Sequence, residues 1–315
     1  MKVVQLAKHG DPEVLQVQEV PDPIPGPQDV LIEVKATTVN HLDLYQRAGT
    51  RPVPGLPFTP GLEAAGIVLQ DANGFHKGEY VLTDNAMGAK GGGGYAGKIA
   101  APASDLARIP AGVSFEHAVA AGLAASTAWA SLFDRGQLKA GERVLIWAGS
   151  SGVGTFAIQL AKHAGAYVIT TASSSERADA LYKLGADRVI NHREQDLGKT
   201  LQQEGGAHLV LELVGSTLQT SIEAARQEGR IILVGNLGGK EATVDTQTWR
   251  LKRVHVIGGG MLHTSTQNME QILHLIAEKA ITPLIARTFP VEQAAEAHGL
   301  LASGEPQGKI VLTHS

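Results

Sequence analysis

Val144, Leu145, Ile146 and Trp147 run directly into Ala148-Gly149-Ser150-Ser151-Gly152-Val153-Gly154, and Thr155 to Ala161 then carries apolar side chains at helical spacing. A buried strand that enters a turn of small residues and leaves as an amphipathic helix is suited to meeting an anion. Small side chains let the backbone approach a pyrophosphate, and the first N–H groups of the helix have no acceptor of their own. On this reading the turn from Ala148 to Gly154 holds the diphosphate of a dinucleotide. The spacing is A-x-x-S-x-x-G, from Ala148 through Ser151 to Gly154, rather than G-x-G-x-x-G. Any tight strand–helix turn needs glycine, so the flanking elements carry the argument. The same residues also fit a small-residue nucleophile elbow, with Ser150 as the nucleophile of a serine hydrolase. That reading needs an acid and a histidine downstream, and His263, His274 and His298 stand in no recognisable setting.

A nicotinamide dinucleotide without a 2′-phosphate usually meets a carboxylate at the end of the second strand, about 20 residues on. Here that stretch is Ile169-Thr170-Thr171-Ala172-Ser173-Ser174-Ser175, with no acid, and Arg177 follows. Hydroxyls with a cation suit a phosphate, whereas a carboxylate repels one. The expected cofactor is therefore NADPH, with Ser173 and Arg177 at its 2′-phosphate. The plainer role for Ser174 or Ser175 is to N-cap the next helix, with Arg177 as a solvated charge.

The elements that must position this turn begin near Ser114, where long helical patterns start to alternate with short buried strands. Strands are predicted at 143–147, 167–171, 188–191, 209–213, 230–234 and 254–257, and helices at 153–163 and 176–184, with Gly185 as a C-cap. The tail returns to a helix at 291–301 and a strand at 309–313. The first third instead alternates like half-buried strands around Val14 to Val20, Val30 to Ala36, Gly66 to Leu69 and Tyr80 to Leu82. Gly and Pro punctuate these strands, which suggests a small barrel or sandwich in which Gly91 to Gly94 forms a flexible loop.

The 315 residues allow about two domains. Apolar residues make up 43 % and charged residues 18 %, as in ordinary globular chains. The 27 Lys and Arg against 31 Asp and Glu leave a formal charge of −4 with no basic stripe, which argues against nucleic acid as a partner. With no cysteine, disulfides and thiolate metal sites are excluded. Met1 to Gly10 is too broken for a signal segment, and Ala118 to Ala125 is far short of a membrane span, so a cytoplasmic protein is expected.

At this point the chain resembles the zinc-free quinone oxidoreductase (zeta-crystallin-like) branch of the medium-chain dehydrogenase/reductase superfamily. The resemblance rests on Val39 to Gly49, Pro57 to Val68, Ser126-Thr127-Ala128, the small-residue turn, Val189-Ile190-Asn191, Leu213-Val214-Gly215 and Gly308 to Leu312, and covers nearly the whole chain. It implies an α/β fold. A GroES-like β-barrel catalytic domain, 1–118 completed by 261–315, would accompany a doubly wound parallel-sheet Rossmann domain, 119–260, with the active site in the cleft. In zinc-using relatives the positions of Asn40 and Leu62 are a cysteine and a histidine ligand, so the resemblance implies no metal. Without a Lewis acid, a quinone or an α,β-unsaturated carbonyl is the acceptor that takes hydride most readily, and the protein's task is chiefly alignment.

Residue by residue, the resemblance places Asn40 and Thr127 near the nicotinamide and Ser150 to Val153 on the pyrophosphate. It also places Ser173 and Arg177 at the 2′-phosphate, His192 against the adenosine, and Val214 and Gly235-Asn236 at the ribose and nicotinamide. Lys309 would reach the cofactor from the tail, and Tyr45 would hydrogen-bond or protonate the substrate. His192 replaces a common tyrosine, Ser151 replaces a glycine, and Arg51 sits near a second tyrosine of some members. A homodimer is implied, with Val254 to Gly259 as an edge strand. Plainer roles accompany these. Asn40 also reads as a helix N-cap with Asp43 in the first turn. Asp43 and Arg47 are spaced for an ion pair, and His41 and Tyr45 for a shared helix face. Glu63 reads as a structural hydrogen-bond or salt-bridge partner. An NADPH-binding protein with little catalytic role is the alternative function.

Overall fold

The computed structural model describes residues 1–260 and 263–315, in two compact units. One comprises Met1–Leu123 with Ser265–Ser315, the other Ala124–Thr264, and the boundary falls within the helix Phe115–Trp129. Met261 and Leu262, where the predicted C-terminal completion begins, lie outside the described residues.

The second unit is a six-stranded parallel sheet. In chain order its strands are Arg143–Ile146, Tyr167–Ala172, Arg188–Asn191, Ala207–Glu212, Ala225–Leu233 and His255–Gly258. In space they run third, second, first, fourth, fifth, sixth. This is the doubly wound arrangement, whose order reverses between the first and fourth strands. Strands buried on both faces read as apolar runs, and Leu145, Ile169, Ile190, Val210 and Ile231 accordingly form one core with Leu197, Leu201 and Ile222 from the covering helices. Predicted and observed strands agree to within two residues except the fifth, which starts at Ala225 because Ala225-Arg226-Gln227-Glu228-Gly229 lacks apolar alternation. The last strand stands at the sheet edge.

The first unit carries a seven-stranded sheet whose central strand, Asp29–Val39, pairs with Ala64–Val68, Lys98–Pro102 and the tail strand Lys309–Thr313. Ile310 lies opposite Val39, so the chain's last strand is built into the sheet of its first hundred residues. The parallel partner of the tail strand, Ile285–Pro290, gave no period-2 signal, since Arg287 and Thr288 interrupt it. Gly91 to Gly94 is not the flexible loop expected. Gly93 and Gly94 donate to the Thr59 and Gly61 carbonyls at 3.1 and 2.9 Å, and a Cβ on either would strike backbone oxygens of Pro60 or Glu63. Glycine is present there for close approach rather than for freedom.

Candidate functional site

Between the first strand and the helix Gly152–His163, Ala148 takes φ +51°, the left-handed region that is uncommon for a residue with a Cβ. Its N–H donates to Thr171 Oγ1 at 3.0 Å, and Thr170 Oγ1 donates to the Ile146 carbonyl at 2.7 Å, which pins the turn to the second strand. A Cβ on Gly149 would collide with Thr170 Oγ1, and one on Gly154 with the Ala148 carbonyl. Ser151 caps the helix: its Oγ accepts from the Gly154 N–H at 3.1 Å, and its own N–H donates to the Ala148 carbonyl at 2.9 Å. That leaves the N–H groups of Gly152 and Val153 with no acceptor among the described residues, at the positive end of a helix. Ser150 Oγ makes no hydrogen bond to any described residue, so the base that a serine hydrolase needs is not in place.

One strand over, Ser174 caps the helix Ser175–Lys183 by accepting from the Arg177 N–H at 3.3 Å, the plain role considered for it. Ser173 stands just before the cap. His192 donates its N–H to the Ala172 carbonyl at 3.3 Å, one residue past the pairing of Asn191 with Ala172. Ser173, Arg177 and His192 thus emerge at the carboxyl ends of neighbouring strands, the edge where open α/β sheets bind ligands.

Glu212 is a site residue that sequence reasoning missed. It ends the fourth strand fully buried and accepts from four donor groups. Oε1 takes the N–H groups of Val214 and Gly215, both at 2.9 Å, and the Thr217 hydroxyl at 2.7 Å. Oε2 takes Thr217 at 2.9 Å and the Ser221 hydroxyl at 2.5 Å, and Ser221 in turn accepts from the Trp147 indole at 2.8 Å. A lone carboxylate within Leu209-Val210-Leu211-Glu212-Leu213-Val214 was the available signal, because a buried charge must have partners. The Val214 carbonyl accepts from Gly238 at 2.9 Å, and a Cβ on Gly235 would strike the Leu213 carbonyl. Val214 and the Gly235-Asn236 turn therefore pack together. Thr127 lies buried in the helix Phe115–Trp129, its carbonyl accepting from Ser131 Oγ at 2.7 Å.

In the first unit, Asn40 precedes the helix His41–Arg47 and Lys309 opens the tail strand, and the two meet: Lys309 Nζ lies 2.6 Å from Asn40 Oδ1. Glu63 completes the cluster. It is fully buried, and its Oε1 pairs with Lys309 Nζ at 2.9 Å and accepts from Asn40 Nδ2 at 3.1 Å and from the Thr38 hydroxyl. Its Oε2 accepts the Leu123 N–H, an approach open only because Gly122 has no side chain there. Asp43 does not pair with Arg47. Its carboxylate takes the N–H groups of Asn40 and Gly61 at 2.8 and 3.0 Å, while Arg47 donates to the Gly10 carbonyl at 2.7 Å. Burial raises the Asp43 pKa to about 7, with Glu63 adding to the shift against those two N–H groups. His41 and Tyr45, one turn apart, are both half-buried, and neither side chain has a hydrogen-bond partner among the described residues. Burial, then the charge of Lys309, lowers the His41 pKa.

Residues 26–111 match the alcohol dehydrogenase GroES-like domain, and residues 152–278 match the zinc-binding dehydrogenase family model. The chain is 34% identical to the quinone oxidoreductase of Sus scrofa over 328 residues, covering 99% of this chain and 97% of the relative. Among solved structures, Escherichia coli quinone oxidoreductase complexed with NADPH superposes with a TM-score of 0.89 at 30% identity, covering 99% of this chain and 100% of that one. An NAD-dependent alcohol dehydrogenase reaches 0.90 at 30% identity, covering 99% of each chain. With the sheet order, the small-residue turn and full-length similarity in agreement, the chain belongs to the quinone oxidoreductase family of the medium-chain dehydrogenases/reductases.

Proposed function

We propose that this oxidoreductase passes hydride from NADPH to a quinone or an α,β-unsaturated carbonyl without zinc. The observation that carries the cofactor reading is the pair of unclaimed N–H groups on Gly152 and Val153, beside glycines whose Cβ atoms would fill the turn. When bound there, the cofactor supplies two electrons as hydride. Ser150, Ser151, Gly152 and Val153 hold its diphosphate, Val214, Gly235, Asn236 and Thr127 flank its ribose and nicotinamide, Ser173 and Arg177 take the 2′-phosphate, and His192 stands against the adenosine. The absence of acid between Ile169 and Ser175 supports NADPH over NADH.

Zinc-independence rests on the residues. There is no cysteine, and Asn40 has its side chain engaged by Thr38, Glu63 and Lys309, whose ammonium repels a second cation. The Tyr45 hydroxyl, unpartnered and half-buried, is the group that donates to the acceptor's oxygen or protonates the reduced product. Two copies pair through the edge strand His255–Gly258. No helix among the described residues is long and apolar enough to cross a membrane.

The test is NADPH oxidation across a panel of quinones and enones, with NADH alongside. Turnover of at least one class, with NADH much poorer, is expected. Tight NADPH binding with negligible turnover across both classes would instead assign a nucleotide-binding role, and no binding would remove the redox reading.

A further inference from the structure

Asn40 is an amide whose hydrogen-bonding capacity can be counted. It has two N–H donors and two acceptor lone pairs. Nδ2 faces Thr38 Oγ1 and Glu63 Oε1, each at 3.1 Å, and because these two oxygens are hydrogen-bonded to each other they share one of its hydrogens. Oδ1 faces the ammonium of Lys309 at 2.6 Å, which uses one lone pair. The flipped amide would set NH2 against an ammonium and a carbonyl oxygen against a carboxylate, so the neighbours define one orientation. The partners are themselves held. Thr38 accepts from Asn40 while donating to Glu63, and Glu63 is 0% exposed and Lys309 4%. Lys309 is fixed by the pairing of its strand with Asp29–Val39.

We propose that Glu63 and Lys309 are positioning residues that fix the amide of Asn40 in one orientation, leaving one Nδ2 hydrogen and one Oδ1 lone pair for a bound molecule. This rests on the reductase reading for its functional consequence. Lys309 then serves through Asn40 rather than as a direct cofactor ligand, since two of its three N–H groups are spent within the cluster. The ion pair also explains why a carboxylate is retained at residue 63 in a site without metal. It is the anchor against which both the amide and the ammonium are set.

Two readouts test this separately. In the first, 15N-asparagine-labelled protein reports the side-chain amide of Asn40, assigned by its loss in Asn40→Ala. Slow exchange of the hydrogen directed at Thr38 and Glu63 is expected in the wild type, with at least tenfold acceleration in Lys309→Met and in Glu63→Gln/Lys309→Met, the second of which removes the charges as a pair should the first fail to fold. Fast exchange in the wild type, or unchanged exchange in the variants, overturns the lock whether or not the enzyme reading stands. In the second, kcat and KM are measured for Asn40→Ala, Glu63→Gln/Lys309→Met and the triple variant, with the best acceptor from the panel. Losses of about tenfold or more are expected, with the triple variant no worse than Asn40→Ala, because groups that act through one another are not additive. Additive losses overturn the positioning role, and absent wild-type turnover overturns the reductase reading alone.

Discussion

Glu212 offers the most quantitative test of how the nucleotide unit is held. Its carboxylate is fully buried and is met by N–H and O–H donors, with no cation within salt-bridge distance among the described residues. In Glu212→Gln, the Thr217 and Ser221 hydroxyls can rotate to accept from the new NH2, while the amide oxygen keeps the Val214 and Gly215 N–H groups. The change then turns all four charge-assisted bonds into neutral ones, and the smaller cost of burying an amide than a carboxylate offsets part of that loss, leaving about 2 kcal/mol in all. Glu212→Ala leaves both N–H groups buried without acceptors at about 1–3 kcal/mol each, and it opens a cavity as well, so a loss of about 4 kcal/mol or more is expected. Urea unfolding measures both losses, and calorimetry follows NADPH affinity in the same variants. Affinity should fall in step, because the loosened residues form the Leu213–Gly215 turn. An alanine variant that loses less than about 1 kcal/mol, or a glutamine variant costlier than the alanine, would refute the hydrogen-bond accounting.

His298 is buried with Nε2 2.9 Å from the Tyr95 hydroxyl, and burial lowers its pKa to about 3. The folded state therefore resists protonation that the unfolded chain accepts below its ordinary value near 6.5. The resulting stability is intact above that value and is lost as pH falls toward 3, by about 2 kcal/mol at pH 5. Unfolding measured at pH 7 and 5 should show this loss in the wild type and not in His298→Phe; equal pH dependence in both would assign the acid sensitivity elsewhere. Arg177→Ala should weaken NADPH by tenfold or more and NADH little, as read by calorimetry, and equal losses would remove Arg177 from the phosphate. Tyr45→Phe should lower kcat at least tenfold with NADPH affinity unchanged, whereas an unaltered rate would take Tyr45 out of the chemistry.

The nucleotide unit was legible because its signals are local. Parallel strands buried on both faces read as apolar runs, and the small residues from Ala148 to Gly154, set between a strand and a helix, mark the turn that joins them. Even there Glu212 escaped notice, since its partners Val214, Gly215, Thr217 and Ser221 are ordinary residues brought round by a turn. The other unit was harder to read. Asn40, Glu63 and Lys309 are joined only when the tail strand pairs with Asp29–Val39, and no spacing in the sequence announces a contact across 269 positions. The Tyr95–His298 bond spans 203 positions and was invisible for the same reason. Family resemblance pointed to Asn40 and Lys309 individually, but only the folded chain shows that each occupies the other.

The central claim, that a diphosphate rests on the turn at Ala148 to Val153, is tested most directly by titrating NADPH into the wild type and into Ser150→Asp, which adds a like charge beside the free N–H groups. The account predicts saturable binding to the wild type, at least tenfold weaker in the variant with its melting temperature unchanged. No uptake of NADPH or NADH by the wild type, or equal affinity in the two proteins, would contradict it.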